Sequence, residues 1–205
     1  MNFKVHKDHE EGKVPPERPI CSSRGSYLEN VGKFIEHHIK DHATKHPTFL
    51  EDTPDFLRHI EDINTKGLPL NSLLVTLDAV GLFTNIPNDA GIDARREVLL
   101  ERNEKEVGTK FIVRILKFIL ENNIMEFNEE YLRQDIGAPM GSRPVPPYAN
   151  IFMAKKCVSK FTEIAQQFMK DGVCPLIFLK RFLDDLFAIW SGTTKDLHKF
   201  FQQIN

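Results

Sequence analysis

At 205 residues, with 41% hydrophobic and 27% charged side chains, the chain has the make-up of a globular domain with enough apolar material for a core. No apolar run nears the roughly 20 residues of a membrane span, and Met1 to Lys7 lacks the apolar stretch of a secretory signal. A net charge of −2 rules out a uniformly basic surface, so any polyanionic partner must meet cations or metal ions concentrated in one place.

Up to about Pro19 the chain is polar and interrupted by proline, which reads as extended or loop. Leu28, Val31, Phe34, Ile35 and Ile39 have helical spacing within Ser26 to Thr44, with Ser26 as the cap. A second helix is predicted over 55–64, after Thr53-Pro54. Leu73 to Leu77 alternates as a strand: Leu73, Val75 and Leu77 share one face, and Leu74, Thr76 and Asp78 the more polar other. Pro87-Asn88-Asp89 turns into a charged helix over about 90–104, and an apolar helix follows over about 109–121. Residues 126–134 form a hairpin around Asn128, and 137–142 a loop. Pro147 opens a long helix that runs through Phe168. Strands 176–183 and 186–190 hinge on Asp184-Asp185, and 193–203 is a last helix, so the class is α+β.

Asp78 and the pair Asp184-Asp185 interrupt apolar runs. A carboxylate in such a setting costs several kcal/mol unless something positive compensates it. Three of them, on strands able to lie side by side, suit divalent metal ions and phosphoryl transfer. Neighbours on a strand face opposite ways, so only one of the pair can share a metal with Asp78 at full strength. Asp184 is expected to be that ligand and Asp185 the outer one. The competing structural reading is a solvated acidic turn. His38, His42 and His46 fall on one helical face, but a structural or surface role suits them better than a metal site. Cys21, Cys157 and Cys174 are odd in number and far apart, which fits reduced thiols in the cytosol or nucleus.

The segment Leu77-Asp78-Ala79-Val80-Gly81-Leu82-Phe83-Thr84-Asn85-Ile86-Pro87 resembles the first palm motif of reverse transcriptases, closely in its Penelope-like retroelement form. Gly137-Ala138-Pro139-Met140-Gly141-Ser142, continuing through Tyr148-Ala149-Asn150-Ile151-Phe152-Met153, resembles the second motif, and Arg181-Phe182-Leu183-Asp184-Asp185 the third. Lys4-Val5-His6-Lys7 and Arg18-Pro19-Ile20 are similar to fingers motifs. Five such boxes stand in the family's order and spacing over nearly the whole chain.

The resemblance implies a right-hand polymerase fold, with fingers at about 1–66 and 91–138 and palm at about 67–90 and 139–205. A small antiparallel palm sheet would pack on helices. It implies an RNA-directed DNA polymerase acting on a primed RNA or DNA template with dNTP, in the nucleus or cytoplasm and without a membrane. Asp78, Asp184 and Asp185 would hold two Mg²⁺ ions, with Mn²⁺ as a substitute. Phe83 would be the steric gate that excludes a ribose 2′-hydroxyl. Met140, Gly141, Arg18 and Lys4 would contact the nucleotide, the last two through its triphosphate. Arg143, Lys180 and Arg181 would meet template or primer phosphates.

The chain departs from the family pattern in three ways. Arg143-Pro144-Val145-Pro146-Pro147 replaces the usual continuation of the second motif and is expected to displace the start of the next helix. Gly81 stands where a side chain is often present, and the sequence stops soon after the third motif, so a thumb is expected to be absent. These departures raise a rival reading: an inactive retroelement relic that serves only as a nucleic-acid-binding or interaction module. A purely structural domain is the third.

Overall fold

The computed structural model describes residues 2–3, 17–18, 20, 22–101 and 107–204, without the side chains of 2, 3, 17, 18 and 127. Its elements are β1 (Asn2–Phe3), β2 (Glu17–Arg18), α1 (Glu29–Thr44), α2 (Thr53–Lys66), β3 (Leu73–Asp78), α3 (Leu82–Asn85), α4 (Asn88–Leu100), α5 (Thr109–Glu121), β4 (Ile124–Phe127) and β5 (Glu130–Arg133). Then come α6 (Val145–Phe152), a π-helical segment (Met153–Val158), α7 (Ser159–Gln166), β6 (Leu176–Phe182), β7 (Asp185–Trp190) and α8 (Thr194–Ile204). The elements form two compact units, Met1–Ile39 with Phe83–Pro146, and Lys40–Leu82 with Pro147–Asn205. No helix among the described residues is long and apolar enough to cross a membrane.

The first unit contains the two-stranded pairs β1–β2 and β4–β5 and the packed helices α4 and α5. In α5, Ile112, Leu116, Ile119 and Leu120 are almost wholly buried. This apolar stripe fixes the helix where its spacing predicts. Asn128 and Glu129 both take positive φ, as a two-residue hairpin turn needs. Gly137 has φ +79°, and a Cβ there would meet the Thr84 carbonyl oxygen at 2.6 Å and that of Phe83 at 2.7 Å. Only glycine lets these two backbones approach so closely. The Ala138 N–H donates to the Phe83 carbonyl at 2.6 Å, which ties the 137–142 loop to the end of the first motif.

The second unit is built on an antiparallel sheet in the order β3-β7-β6. One face, with Val75, Ala188 and Trp190, packs on α7 and α8 through Ile164, Ala165, Leu197 and Phe200. Rings of Phe168 and Phe200 lie 5.8 and 5.2 Å from Trp190. On the other face α2 sets Phe56 at 5.1 Å from Phe187 and His59 at 6.3 Å from Phe178. That packing places 40–66 with the sheet, where the sequence reading had grouped it with the fingers segment. Asp52 caps α2 by accepting from the Asp55 N–H, and Pro54 lies in the first turn. Helix α6 starts at Val145, two residues before the predicted Pro147. Pro146 and Pro147 occupy its first turn, where helix N–H groups have no partner in any case.

The stretch 46–50 covers the outer edge of β6: the Arg181 N–H donates to the Thr48 carbonyl at 2.7 Å, and the Leu50 N–H to that of Arg181 at 2.9 Å. His46 Nδ1 accepts from the Thr48 N–H at 3.3 Å and lies 2.9 Å from Thr48 Oγ1. Burial first, then the cations Arg181 and Lys155, lower its pKa below 6.5.

Gly137→Ala is expected to cost about 2 kcal/mol or more, because a left-handed backbone and a carbonyl contact are lost together; urea unfolding measures it. For His46 the folded pKa lies below the unfolded one, so its contribution is complete above about pH 6.5 and fades as pH falls through the folded value. Denaturation midpoints across pH 7 to 5 should therefore fall in the wild type and less in His46→Asn.

Candidate active site

In antiparallel strands, residues directly opposite each other present their side chains on the same face. The β3–β7 register pairs Leu77 with Leu186, Thr76 with Phe187 and Asp78 with Asp185. Residues 78 and 185, remote in sequence, thus become cross-strand neighbours at the end of the sheet. Both are exposed, on the face opposite the Trp190 core.

Asp184 was the expected partner of Asp78, but the register gives that position to Asp185. Phe182 pairs with Asp185 across β6–β7, which leaves Leu183 and Asp184 as the two turn residues. Leu183 takes φ +53°, a strained value for a leucine. Asp184 is fastened to β3 through its backbone, since its carbonyl accepts from the Ala79 N–H at 3.1 Å. The pair is therefore part turn and part strand. A turn at this point advances the strand register by one residue relative to the sequence reading.

A cleft of about 590 Å³ opens beside Asp185, between Leu50, Asp52 and Phe56 on one side and Thr76, Phe182 and Phe187 on the other. Among the described residues its lining carries Glu51, Asp52 and Asp185 and no Lys or Arg. Among the described residues, no ion pair or side-chain hydrogen bond is made by Asp78, Asp184 or Asp185. Like charges directly opposite in a ladder are destabilising, and no cation among the described residues pairs with them. Such a donor set suits a hard divalent cation. No group of three or more His, Cys, Asp or Glu among the described residues is arranged to hold a metal ion, so only two of the three carboxylates are placed face to face.

Arg181, expected on a nucleic-acid phosphate, is fully buried. Its guanidinium donates to Asn150 Oδ1 at 2.6 Å and to the Asn150 carbonyl at 2.8 Å. Burial pulls its pKa down to about 10. The alternation that puts Asp185 and Phe187 on the open face sends Arg181 to the helix side, where α6 holds it. Lys180 faces the open side, but its ammonium donates to the Pro47 carbonyl at 2.8 Å. His46, as above, is engaged with Thr48.

In the first unit, the loop tied to Phe83 carries Met140 and Gly141. Gly141 and Arg143 line a cavity of about 530 Å³ with Ser22, Ser23, Arg24, Glu29 and Lys33. Ser23 donates to the Gly141 carbonyl through its N–H at 3.4 Å and its Oγ at 3.3 Å. Arg143 pairs loosely with Glu36 at 3.4 Å, and Lys33 with Glu29 at 2.8 Å. Arg24 and Lys33 were missed by sequence reading, since a single surface cation gives no signal until the fold gathers several. Lys4 lies outside the described residues; Arg18 is described only as backbone in β2.

No family model matches the sequence, and no curated protein matches it. Solved structures do match. The structure of apo telomerase from Candida tropicalis truncated from the C-terminal domain has a TM-score of 0.60 at 15% identity, covering 88% of this chain and 37% of that one. Telomerase from Candida tropicalis in complex with a TWJ fragment of telomeric RNA gives 0.59 at 15%, covering 88% and 31%. Telomerase from Candida albicans in complex with such a fragment gives 0.62 at 10%, covering 88% and 32%. The chain spans about a third of the length of these structures. At such identities the likeness is one of fold: this is a mixed α+β chain with small antiparallel sheets, similar in fold to part of these telomerase structures.

Proposed function

We propose that the chain provides the catalytic carboxylates of an RNA-directed DNA polymerase of Penelope-like type, carrying out template-directed nucleotidyl transfer to a primer 3′-hydroxyl. The observation that carries this reading is the register of Asp78 opposite Asp185, two uncompensated carboxylates beside an open cleft. The second unit is then the palm and the first the fingers of an intracellular, nuclear or cytoplasmic enzyme.

Asp78 and Asp185, joined by Asp184 from the turn, would hold Mg²⁺ or Mn²⁺. Two such ions, when bound, supply Lewis-acid activation of the attacking hydroxyl and neutralise the departing pyrophosphate. Because the described lining of the cleft has no Lys or Arg, a polyphosphate gains no attraction there from those residues. Phe83 would bar a 2′-hydroxyl. The Met140-Gly141 backbone would lie against the nucleotide, and Arg143, with Arg24 and Lys33, would meet phosphates, as would Arg18 and Lys4 by resemblance.

One observation favours the rival reading of a nucleic-acid-binding module without catalysis: the three carboxylates are not grouped as a metal site. Thermal unfolding separates the two. With chelator present, Asp78→Asn and Asp185→Asn are each expected to stabilise the fold by about 0.2–1 kcal/mol by removing like-charge repulsion. Millimolar Mg²⁺ or Mn²⁺ should raise the wild-type Tm and leave the variants' unchanged. Primer extension on an RNA template, with the chain carried within a complete polymerase, should fall about a thousandfold or more in Asp78→Asn. A wild-type Tm indifferent to metal, with oligonucleotide binding equally indifferent, would establish the binding module instead.

A further inference from the structure

The groove between α4 and α5 has none of the motif residues among its described lining. Lys110, Arg114 and Lys117, spaced by four and three residues, share one exposed face of α5. With Arg96, Asp89 and Asp93 of α4 they line the groove, of about 710 Å³. Arg96 is paired with Asp93 at 2.9 Å and Lys117 with Glu121 at 3.5 Å. Such exposed pairs are weak and readily exchanged for another anion. Lys110 and Arg114 make no ion pair with any described residue.

Beside this line of cations runs an aromatic one. Phe111 and Phe118, each next in sequence to a lysine of the rail, are 52% and 46% exposed, a large apolar area to leave in water. Phe34 of α1, 37% exposed, sets its ring edge-on at 6.2 Å from Phe111. Tyr27, 64% exposed, donates its hydroxyl to the Asn122 carbonyl at the other end of α5. Apolar rings alone would fit a protein surface as well. Rings laid alongside unpaired cations fit a ligand that offers phosphates and flat aromatic faces in alternation, as a single-stranded nucleic acid does.

We propose that the α4–α5 groove and the neighbouring aromatic seam bind single-stranded nucleic acid, with phosphates on Lys110, Arg114 and Lys117 and bases stacked on Phe118 and Phe111. This rests on the nucleic-acid partner of the proposed function but on none of its carboxylates. The surface is a second contact, belonging wholly to the first unit. It holds a strand by charge and stacking with no base-edge readout, so it is indifferent to sequence.

Fluorescence anisotropy with labelled oligo(dT) and oligo(U), titrated with salt, tests it. Each phosphate contact on a single strand contributes about 0.7 to the slope of log K against log salt. Lys110→Gln/Arg114→Gln should therefore flatten the slope by about 1.4, and Lys160→Gln/Lys195→Gln, removing the same charge from exposed positions of the second unit, should flatten it far less. Phe118→Ala should weaken binding roughly 5- to 100-fold at fixed salt with the slope unchanged, and Phe118→Leu, which keeps apolar packing but lacks the ring, should do the same. A wild type that binds while Lys110→Gln/Arg114→Gln behaves like the control pair overturns the groove and leaves the polymerase reading standing. Loss of slope with Phe118→Ala neutral overturns the single-strand assignment, because an electrostatic rail then acts without stacking. A wild type that binds neither oligonucleotide overturns this site and the nucleic-acid reading together. Self-association abolished by Phe118→Ala, with oligonucleotide affinity unmoved, makes the seam a protein contact and overturns the proposal as well.

Discussion

Two carboxylates set directly across an antiparallel ladder repel each other, which costs the sheet about 0.2–1 kcal/mol. Asp78 and Asp185 occupy such a pair at the end of β3 and β7, with no cation of the described protein beside them. The neighbouring cleft repeats the sign, since Glu51 and Asp52 share its lining with Asp185. Exposure moderates the cost, for both aspartates keep contact with water. The resulting field favours cations and disfavours phosphate. A phosphate held at this place would need bound cations to reverse the local sign.

The remainder of the second unit holds that pair in register. Trp190, Ala188 and Val75 press one face onto α7 and α8, while Phe56 and His59 of α2 grip Phe187 and Phe178 on the other. Arg181 is a buried cation whose described hydrogen bonds go to an amide side chain and a carbonyl rather than to a carboxylate. Such a group adds little net stability and is strongly destabilising if its partner is lost. Its effect is positional: the end of β6, four residues before Asp185, is fastened to the helix that follows the 137–142 loop. The strained Leu183 turn and the Ala79–Asp184 hydrogen bond fix the bend that follows.

The first unit distributes charge differently. Its cations lie on helices and loops with acidic residues interspersed, so a chain of net charge −2 still forms two local basic surfaces. One surrounds Gly141 and Arg143, and the other follows α5 beside exposed rings. Charge summed over the whole sequence was uninformative because the opposing signs occupy different places.

Periodicity determined much of the architecture without tertiary information. Helix α5, strand β3 with its polar Asp78 face, and the hairpin at Asn128-Glu129 fall where spacing and turn chemistry put them, because each element satisfies its backbone locally and shows one apolar face. Asp78, Asp184 and Asp185 stand out in the sequence itself, as carboxylates inside apolar runs. Which of the adjacent aspartates faces Asp78 was decided only by the fold. A two-residue turn assigns Leu183 and Asp184 to the bend, and a strand's period of two then sends Arg181 inward and Asp185 to the open face. A shift of one residue reverses every such assignment, and sequence pattern cannot set it when the turn lacks glycine and both candidates are the same amino acid.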